Sequence, residues 1–207
     1  MKYYEFLDIL KCDKVLVVGC QRSGTRFVAH AIAKDMGYKY LDEQTINFSS
    51  AHNARLRLRE NRVVLQAPAV SSEVAAITAP DVAIVWINRD RDDVIKSQQR
   101  IGWFNTGSEQ HEWNKLWSIF EFGQDGALPM GKRNLCKEHG RLFDINCKKC
   151  EYEQLSIYDM KKVFWRETHV HNQFEVEYES LKSHPLWVSP EDRDPNNIVK
   201  LQIKNIL

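Results

Sequence analysis

The chain has 207 residues, a length typical of one domain with room for a modest insertion. Hydrophobic residues make up 43% of the chain and six residues are tryptophan, which is ample for a buried core. The formal net charge is only +1, whereas a general nucleic-acid-binding surface needs clustered basic residues. No stretch approaches the roughly 20 consecutive apolar residues of a membrane span, so we expect neither a nucleic-acid partner nor a membrane span.

The N-terminal segment and the cysteines indicate the compartment. Residues 1–8 carry acids within a short apolar run and lack a small-residue cleavage site, so we expect no signal peptide. The chain has five cysteines, an odd number, and three of them lie close together at metal-ligand spacing. This pattern fits a reducing compartment better than a disulfide framework, and it predicts a cytoplasmic protein.

The first predicted strand leads into a loop that contains two glycines, and a helical pattern follows. Gly19 and Gly24 have the G-x-x-x-x-G spacing of a Walker loop, but Thr25 and Arg26 follow where that motif has Lys and then Ser or Thr. The positive charge comes instead from Arg22 within the loop. Glycines allow backbone N–H groups and the helix N-terminus to point at one anion. The stretch therefore predicts a phosphate-binding loop that differs from that of an ordinary ATPase.

Strands alternate with helices along the chain. The stretch 81–88 is nearly continuous in apolar residues, as buried central strands of parallel sheets are. Right-handed crossovers between such elements predict an α/β fold with three α/β/α layers and a central parallel sheet, similar to that of P-loop NTPases. In chain order the predicted elements are a helix or arm at 1–13, strand 14–18, helix 25–36, strand 38–41, strand 62–66, a short helix at 71–78, strand 81–88, a helix from 89 onward, helices 109–120 and 151–166, and strand 174–178 with a short helix to 182.

Residues 54–59 alternate strictly between apolar and basic side chains. This alternation is typical of the solvated face of an edge strand or a helix. It is also compatible with a basic wall for an anionic ligand, and the sequence leaves both interpretations open.

Charged residues follow three of the predicted strands at the point where each strand ends. Arg22 and Glu43 follow the first and second strands, and Arg89 follows strand 81–88. Ligands of open parallel sheets bind beyond the carboxyl ends of the strands. We therefore expect these three side chains to converge on one cleft.

Two motifs together resemble the nucleotide-binding signatures of the sulfotransferases that use 3′-phosphoadenosine 5′-phosphosulfate (PAPS). The first is the loop 21–26, and the second is Arg89 followed by Asp93 and Ser97 at the family's spacing, with Asp90-Arg91 in place of the usual Asn-Pro. A third likeness is the stretch 174–181, which resembles the family's Tyr-Glu-Asp-Leu element. The resemblance covers roughly residues 14–100 and 174–186, and the family's C-terminal glycine-rich, Arg-containing loop has no clear counterpart.

The resemblance implies a role for each motif. The first loop is expected to hold the 5′-phosphosulfate, and Arg89 and Ser97 are expected to hold the 3′-phosphate. The cofactor-binding residues implied in this way are Arg22, Ser23, Gly24, Thr25, Arg26, Arg89 and Ser97. Arg22 is also expected to act in catalysis, because it would contact the phosphosulfate bridge as charge builds on the departing phosphate.

An acceptor hydroxyl needs a general base. Glu43 is the first choice, because it ends the second strand and lies at about the same offset from the loop as the catalytic glutamate of tyrosylprotein-type sulfotransferases. His52 is the competitor, since other branches of the family use histidine.

The cysteine cluster predicts a separate metal site. Cys136 and His139 form one closely spaced pair, and Cys147 and Cys150 form another, which together supply the four ligands of a tetrahedral structural zinc. Free thiols are the alternative. We expect the zinc to stabilise a small insertion at 132–153 within a single domain that spans 1–207.

The sequence thus predicts a PAPS-dependent sulfotransferase that transfers a sulfuryl group to the hydroxyl of a saccharide, a peptide or a small molecule. One alternative is a P-loop kinase for a nucleotide or small molecule, which would use ATP and magnesium. Another is a non-catalytic binding module built on a nucleotide-binding fold.

Overall fold

The computed structural model describes residues 1–43, 50–101, 158, 161–162, 165–166, 168 and 171–188. Its helices and strands, in chain order, are α1 (Tyr3–Ile9), β1 (Lys14–Val18), α2 (Thr25–Met36), β2 (Lys39–Asp42), α3 (Ala51–Arg57), β3 (Val63–Gln66), β4 (Val82–Asn88), α4 (Arg91–Arg100) and β5 (Gln173–Glu177). Short 3₁₀ turns cover Pro68–Val70, Val74–Ala76 and Tyr178–Ser183.

The five strands form one sheet in the order β2-β3-β1-β4-β5. Every described pairing is parallel, and Leu16 in β1 lies between Leu65 of β3 and Ile84 of β4. Parallel strands need apolar residues on both faces, and six of the seven residues of β4 are buried. The predicted α/β fold with a central parallel sheet is confirmed.

Helices cover both faces of the sheet, because successive strand residues point to opposite sides. On one face Val15 and Val17 pack with α1 and α2 in a cluster that includes Val28 and Ile32. On the other face Leu16 and Val18 pack in a second cluster that includes residues of α3 and α4. The carboxyl ends of all five strands therefore remain at one edge, between the two helical layers.

Several predicted boundaries agree with the structure, and one element differs in kind. Strand 14–18 and helix 25–36 are confirmed, and the second strand is shifted by one residue to 39–42. The helix predicted at 71–78 is wrong, since that range holds only a 3₁₀ turn at Val74–Ala76, and another 3₁₀ turn at Pro68–Val70 precedes it. The Ser71 hydroxyl donates to the Pro68 carbonyl at 2.8 Å, a local bond that competes with regular helix formation.

The alternating stretch 54–59 lies mostly on α3, which Ser50 caps by accepting a hydrogen bond from the Asn53 N–H at 3.3 Å. Ala54 and Leu58 are buried one turn apart, whereas Arg55 and Arg57 are exposed. This arrangement agrees with the interpretation as a solvated helix face.

Several predictions lie outside the described residues. These are the helix at 109–120, most of the helix at 151–166, and the insertion at 132–153 with its four proposed zinc ligands. Within the described ranges, no group of three or more His, Cys, Asp or Glu side chains is arranged to hold a metal ion. Among the helices described here, none is long and apolar enough to cross a bilayer.

His30 is a buried histidine on the side of α2 that faces β2. Its ring stacks on Tyr40 with the ring centroids 3.6 Å apart, and its Nδ1 has no hydrogen-bond partner among the described residues. Burial lowers the pKa of His30 from its ordinary 6.5 to about 4, against a smaller opposing effect of Asp42. The folded protein therefore holds this imidazole neutral.

The neutral state of His30 predicts a pH dependence of stability. Between pH 6.5 and about 4 the unfolded chain binds a proton that the folded chain excludes, so the free energy of unfolding falls as the pH falls through this window. His30→Phe keeps a ring against Tyr40 and removes the titration. We expect the difference in urea-unfolding free energy between variant and wild type to shift in favour of the variant from pH 7 to pH 4.5. A difference that does not change with pH would contradict this assignment.

Candidate functional site

The loop between β1 and α2 makes a tight left-handed turn. Arg22 has φ +72° and Gly24 has φ +96°, a region that side chains rarely adopt. The Ser23 N–H donates to the Cys20 carbonyl at 3.1 Å and closes the turn. That N–H is thus already used within the loop, although the sequence predicted it as a phosphate donor. The first N–H groups of α2 have no acceptor within the helix, so they remain suited to an anion.

Tyr178 fixes the position of Gly24 from outside the loop. This tyrosine directly follows β5, is buried, and lies so close that a Cβ on Gly24 would overlap its ring. The Arg89 guanidinium lies over the same ring, 4.8 Å from the centroid, in a cation–π arrangement. The loop is therefore packed from the β5 side.

Two side chains hold Gln21 at the start of the loop. The Gln98 side chain on α4 donates to the Gln21 carbonyl at 2.9 Å. Lys161, which is fully buried, donates to the Gln21 side-chain oxygen at 2.9 Å and to the Pro68 carbonyl at 3.3 Å. These bonds join the loop to α4 and to the segment after β3.

The structure brings three predicted site residues together. The Arg89 Nη1 donates to the Arg22 carbonyl at 3.0 Å, and the Arg22 Nε donates to the Ser97 hydroxyl at 3.2 Å. The Nε of Arg89 is buried and has no hydrogen-bond partner among the described residues. At the carboxyl edge of β1 and β4, the Arg22 guanidinium thus contacts the Ser97 hydroxyl, and the Arg89 guanidinium contacts the Arg22 backbone. Guanidinium and hydroxyl groups are suited to phosphate oxygens.

Arg26 and Thr25 are held by the neighbouring strands. Arg26 forms an ion pair with Asp42 at the end of β2, with Nε and Oδ2 2.8 Å apart. Tyr40 donates to the same Oδ2 at 2.7 Å, and burial and this bond raise the pKa of Tyr40. The Thr25 hydroxyl accepts from the Gln66 side-chain amide at 3.2 Å. The structure therefore directs Arg26 toward β2.

The remaining predicted site residues lie apart from one another. Ser23 is fully buried, and its Oγ has no partner among the described residues. Glu43 follows β2 and accepts the Ala69 N–H at 3.2 Å through Oε2. Because β3 separates β2 from β1, the ends of these two strands are about 10 Å apart. His52 is exposed in the first turn of α3.

The motifs in the sequence did not indicate Gln98, Lys161 or the contact of Tyr178 with Gly24. A signal existed for two of them, since Gln98 directly follows Ser97 and Tyr178 is the last residue of a predicted strand. No signal existed for Lys161, which meets a residue 140 positions away in the chain.

An open cavity of about 490 Å³ lies beside this cluster, at the carboxyl ends of β4 and β5. Asn88, Arg89 and Glu177 line it from the strand ends, and Tyr158 and Lys162 line it from a separate part of the chain. Its size is within the range of small-molecule sites.

The fold and this site define an α/β protein with an all-parallel sheet and a glycine-containing loop between β1 and α2. No protein-family model matches the sequence, and no curated protein matches it. Among solved structures, the chain is similar to a gluconokinase from Sinorhizobium meliloti 1021, with a TM-score of 0.35 and 15% identity over 43% of this chain. The match spans 65% of the gluconokinase chain, less than two thirds of its length. A similarity at this level does not bear on activity.

The contact between Gly24 and Tyr178 predicts a strong, coupled effect of substitution. Gly24→Ala adds left-handed strain and an overlap with the ring, so we expect the free energy of unfolding to fall by about 2–4 kcal/mol. In a Tyr178→Ala background only the strain remains, and the loss is expected to shrink to about 1–2 kcal/mol. Urea denaturation of the four proteins measures both values. Equal losses in the two backgrounds would disprove the coupling.

Proposed function

We propose that this protein is a PAPS-dependent sulfotransferase that acts on an acceptor hydroxyl. The observation that carries the proposal is the chain of contacts from Ser97 to Arg22 and from Arg22 to Arg89. The resemblance assigned these residues to the two phosphate groups of one nucleotide, and the contacts make them neighbours. Residues that serve one ligand must be neighbours, so this proximity supports the proposal.

The residues present fit such a nucleotide. The loop and the first N–H groups of α2 suit the 5′-phosphosulfate, with the helix dipole favouring negative charge. The buried Arg89 Nε lacks an acceptor among the described residues, and an oxygen of a bound phosphate would satisfy it. Ser97 supplies a hydroxyl on the same side as Arg22.

PAPS supplies an activated sulfuryl group, whose transfer leaves an additional negative charge on the 5′-phosphate. Arg22 is the loop residue that we propose to neutralise this charge, since Arg26 is paired with Asp42. Glu43 is proposed as the general base that accepts the proton of the acceptor hydroxyl. It is half-buried, whereas His52 is exposed.

Magnesium-dependent phosphoryl transfer is the main rival. P-loop NTPases hold the metal with a loop Ser or Thr and a nearby aspartate. Here the Thr25 hydroxyl is bonded to the amide of Gln66, and the strands on either side of β1 end in Gln66 and Asn88. These positions therefore carry neutral amides where a magnesium site would need an aspartate. This difference favours the sulfotransferase over the kinase.

Three further parts of the proposal rest on the sequence. The acceptor is proposed to be a saccharide, a peptide or a small molecule. We infer one structural zinc held by Cys136, His139, Cys147 and Cys150, on the basis of their spacing. The cysteine pattern favours the cytoplasm as the location.

Ligand binding tests the nucleotide assignment. Adenosine 3′,5′-bisphosphate is expected to raise the melting temperature more than ATP with magnesium does. Arg89→Ala is expected to weaken bisphosphate binding about tenfold or more, because a charge-assisted bond to phosphate is lost. Lys96→Ala removes an exposed cation from the same helix and serves as the matched control with unchanged affinity. Preference for ATP with magnesium would overturn the sulfotransferase assignment, and no response to either ligand would favour a binding module.

Turnover tests the general base. Glu43→Gln is expected to leave bisphosphate affinity unchanged and to lower sulfuryl transfer by about 100-fold or more, since the amide cannot accept the proton. The measurement is transfer of labelled sulfate from PAPS to a panel of saccharide, tyrosyl-peptide and phenol acceptors. His52→Gln is the control and is expected to retain activity. If His52→Gln lost sulfuryl transfer and Glu43→Gln retained it, the general base would be His52.

A further inference from the structure

The cavity beside Arg89 contains basic residues that neither motif includes. It lies at the carboxyl ends of β4 and β5, and its volume is about 490 Å³. Arg89 and Arg91 line it from the end of β4 and the start of α4, and Lys162 and Arg166 line it from a region far away in the sequence. Four cationic side chains therefore border a space that adjoins the proposed phosphate-binding cluster.

Three of the residues that line the cavity come from the distant part of the sequence. Tyr158, Lys162 and Arg166 are each in helical conformation, and all three line the cavity. Tyr158 donates to the Arg89 carbonyl at 2.8 Å, and Lys162 donates to the Asn88 Oδ1 at 2.8 Å. These two bonds hold Tyr158 and Lys162 against the end of β4.

Three carboxylates also line the cavity, and their roles differ from those of the cations. Asp90 caps α4, since its Oδ1 accepts the Asp93 N–H at 3.0 Å. Glu177 lies 4.0 Å from the N-terminal ammonium, and both Glu177 and Glu179 are exposed. Arg166 is exposed as well and forms no ion pair with the residues that the structure describes. A ligand with an anionic group and several hydrogen-bond donors, such as a phosphorylated nucleoside, matches this mixture.

We infer that Lys162 and Arg166 join Arg89 in binding the 3′-phosphate of the nucleotide, an inference that rests on the proposed function. A phosphate monoester carries about −1.5 to −2 charges at neutral pH, more than one guanidinium neutralises. Lys162 and Arg166 line the cavity together with Arg89, and Lys162 is bonded to Asn88 at the end of β4. The 3′-phosphate subsite is therefore built from two segments of the chain.

Paired titrations test this inference. The affinities of adenosine 3′,5′-bisphosphate and adenosine 5′-monophosphate are measured by calorimetry for the full-length wild type and for the variants Lys162→Gln, Arg166→Gln and Lys96→Gln. Because Arg166 is exposed, its variant is expected to fold normally. We expect the first two variants to bind the bisphosphate about five- to tenfold more weakly and the monophosphate with unchanged affinity. Lys96→Gln is expected to match the wild type for both ligands.

The results of these titrations distinguish a failure of this inference from a failure of the proposed function. If the wild type prefers the bisphosphate and neither cavity variant alters that preference, the inference is wrong and the proposed function stands. If a variant weakens both ligands equally, its side chain does not read the 3′-phosphate, and the inference is again wrong. If the wild type itself does not prefer the bisphosphate, the proposed function fails and the inference fails with it.

Discussion

The left-handed turn at Arg22–Gly24 is the constraint on which the site depends. An arginine with positive φ is unfavourable by itself and persists only when its surroundings determine it. The Ser23 N–H closes the turn internally, the Arg89 side chain holds the Arg22 carbonyl, and Tyr178 packs on Gly24. The backbone is therefore fixed before any ligand binds, which is what an anion-binding loop requires.

The order of the strands makes this arrangement possible. Because β1 lies between β3 and β4, the loop after β1 has the segment after β3 on one side and Arg89 on the other. Lys161 connects the loop to the first of these neighbours, and Gln98 connects it to α4. The open cavity lies at the same edge of the sheet, beyond β4, where Arg89, Lys162 and Arg166 line it.

Much of the fold could be predicted from the sequence, because local patterns determine it. Strand 14–18 and helix 25–36 follow from apolar periodicity, and Gly37 ends that helix in a left-handed conformation. The buried strand at 82–88 is nearly continuous in apolar residues, so a parallel sheet follows. The helix expected at 71–78 is an exception, because the bond from the Ser71 hydroxyl to the Pro68 carbonyl competes with the regular helix that the residue pattern predicted.

The sequence by itself determined that a glycine-containing loop and Arg89 follow strand ends and that Ser97 lies on the next helix, since that depends only on motif spacing and on the strand and helix patterns. The tertiary structure decided how the charges are used. It paired Arg26 with Asp42, joined Arg22 to Ser97, and brought Lys161 to the loop. These contacts link residues 16, 75 and 140 positions apart, and no local rule encodes a partner at such a distance. Only the packing of helices against the sheet brings these side chains together.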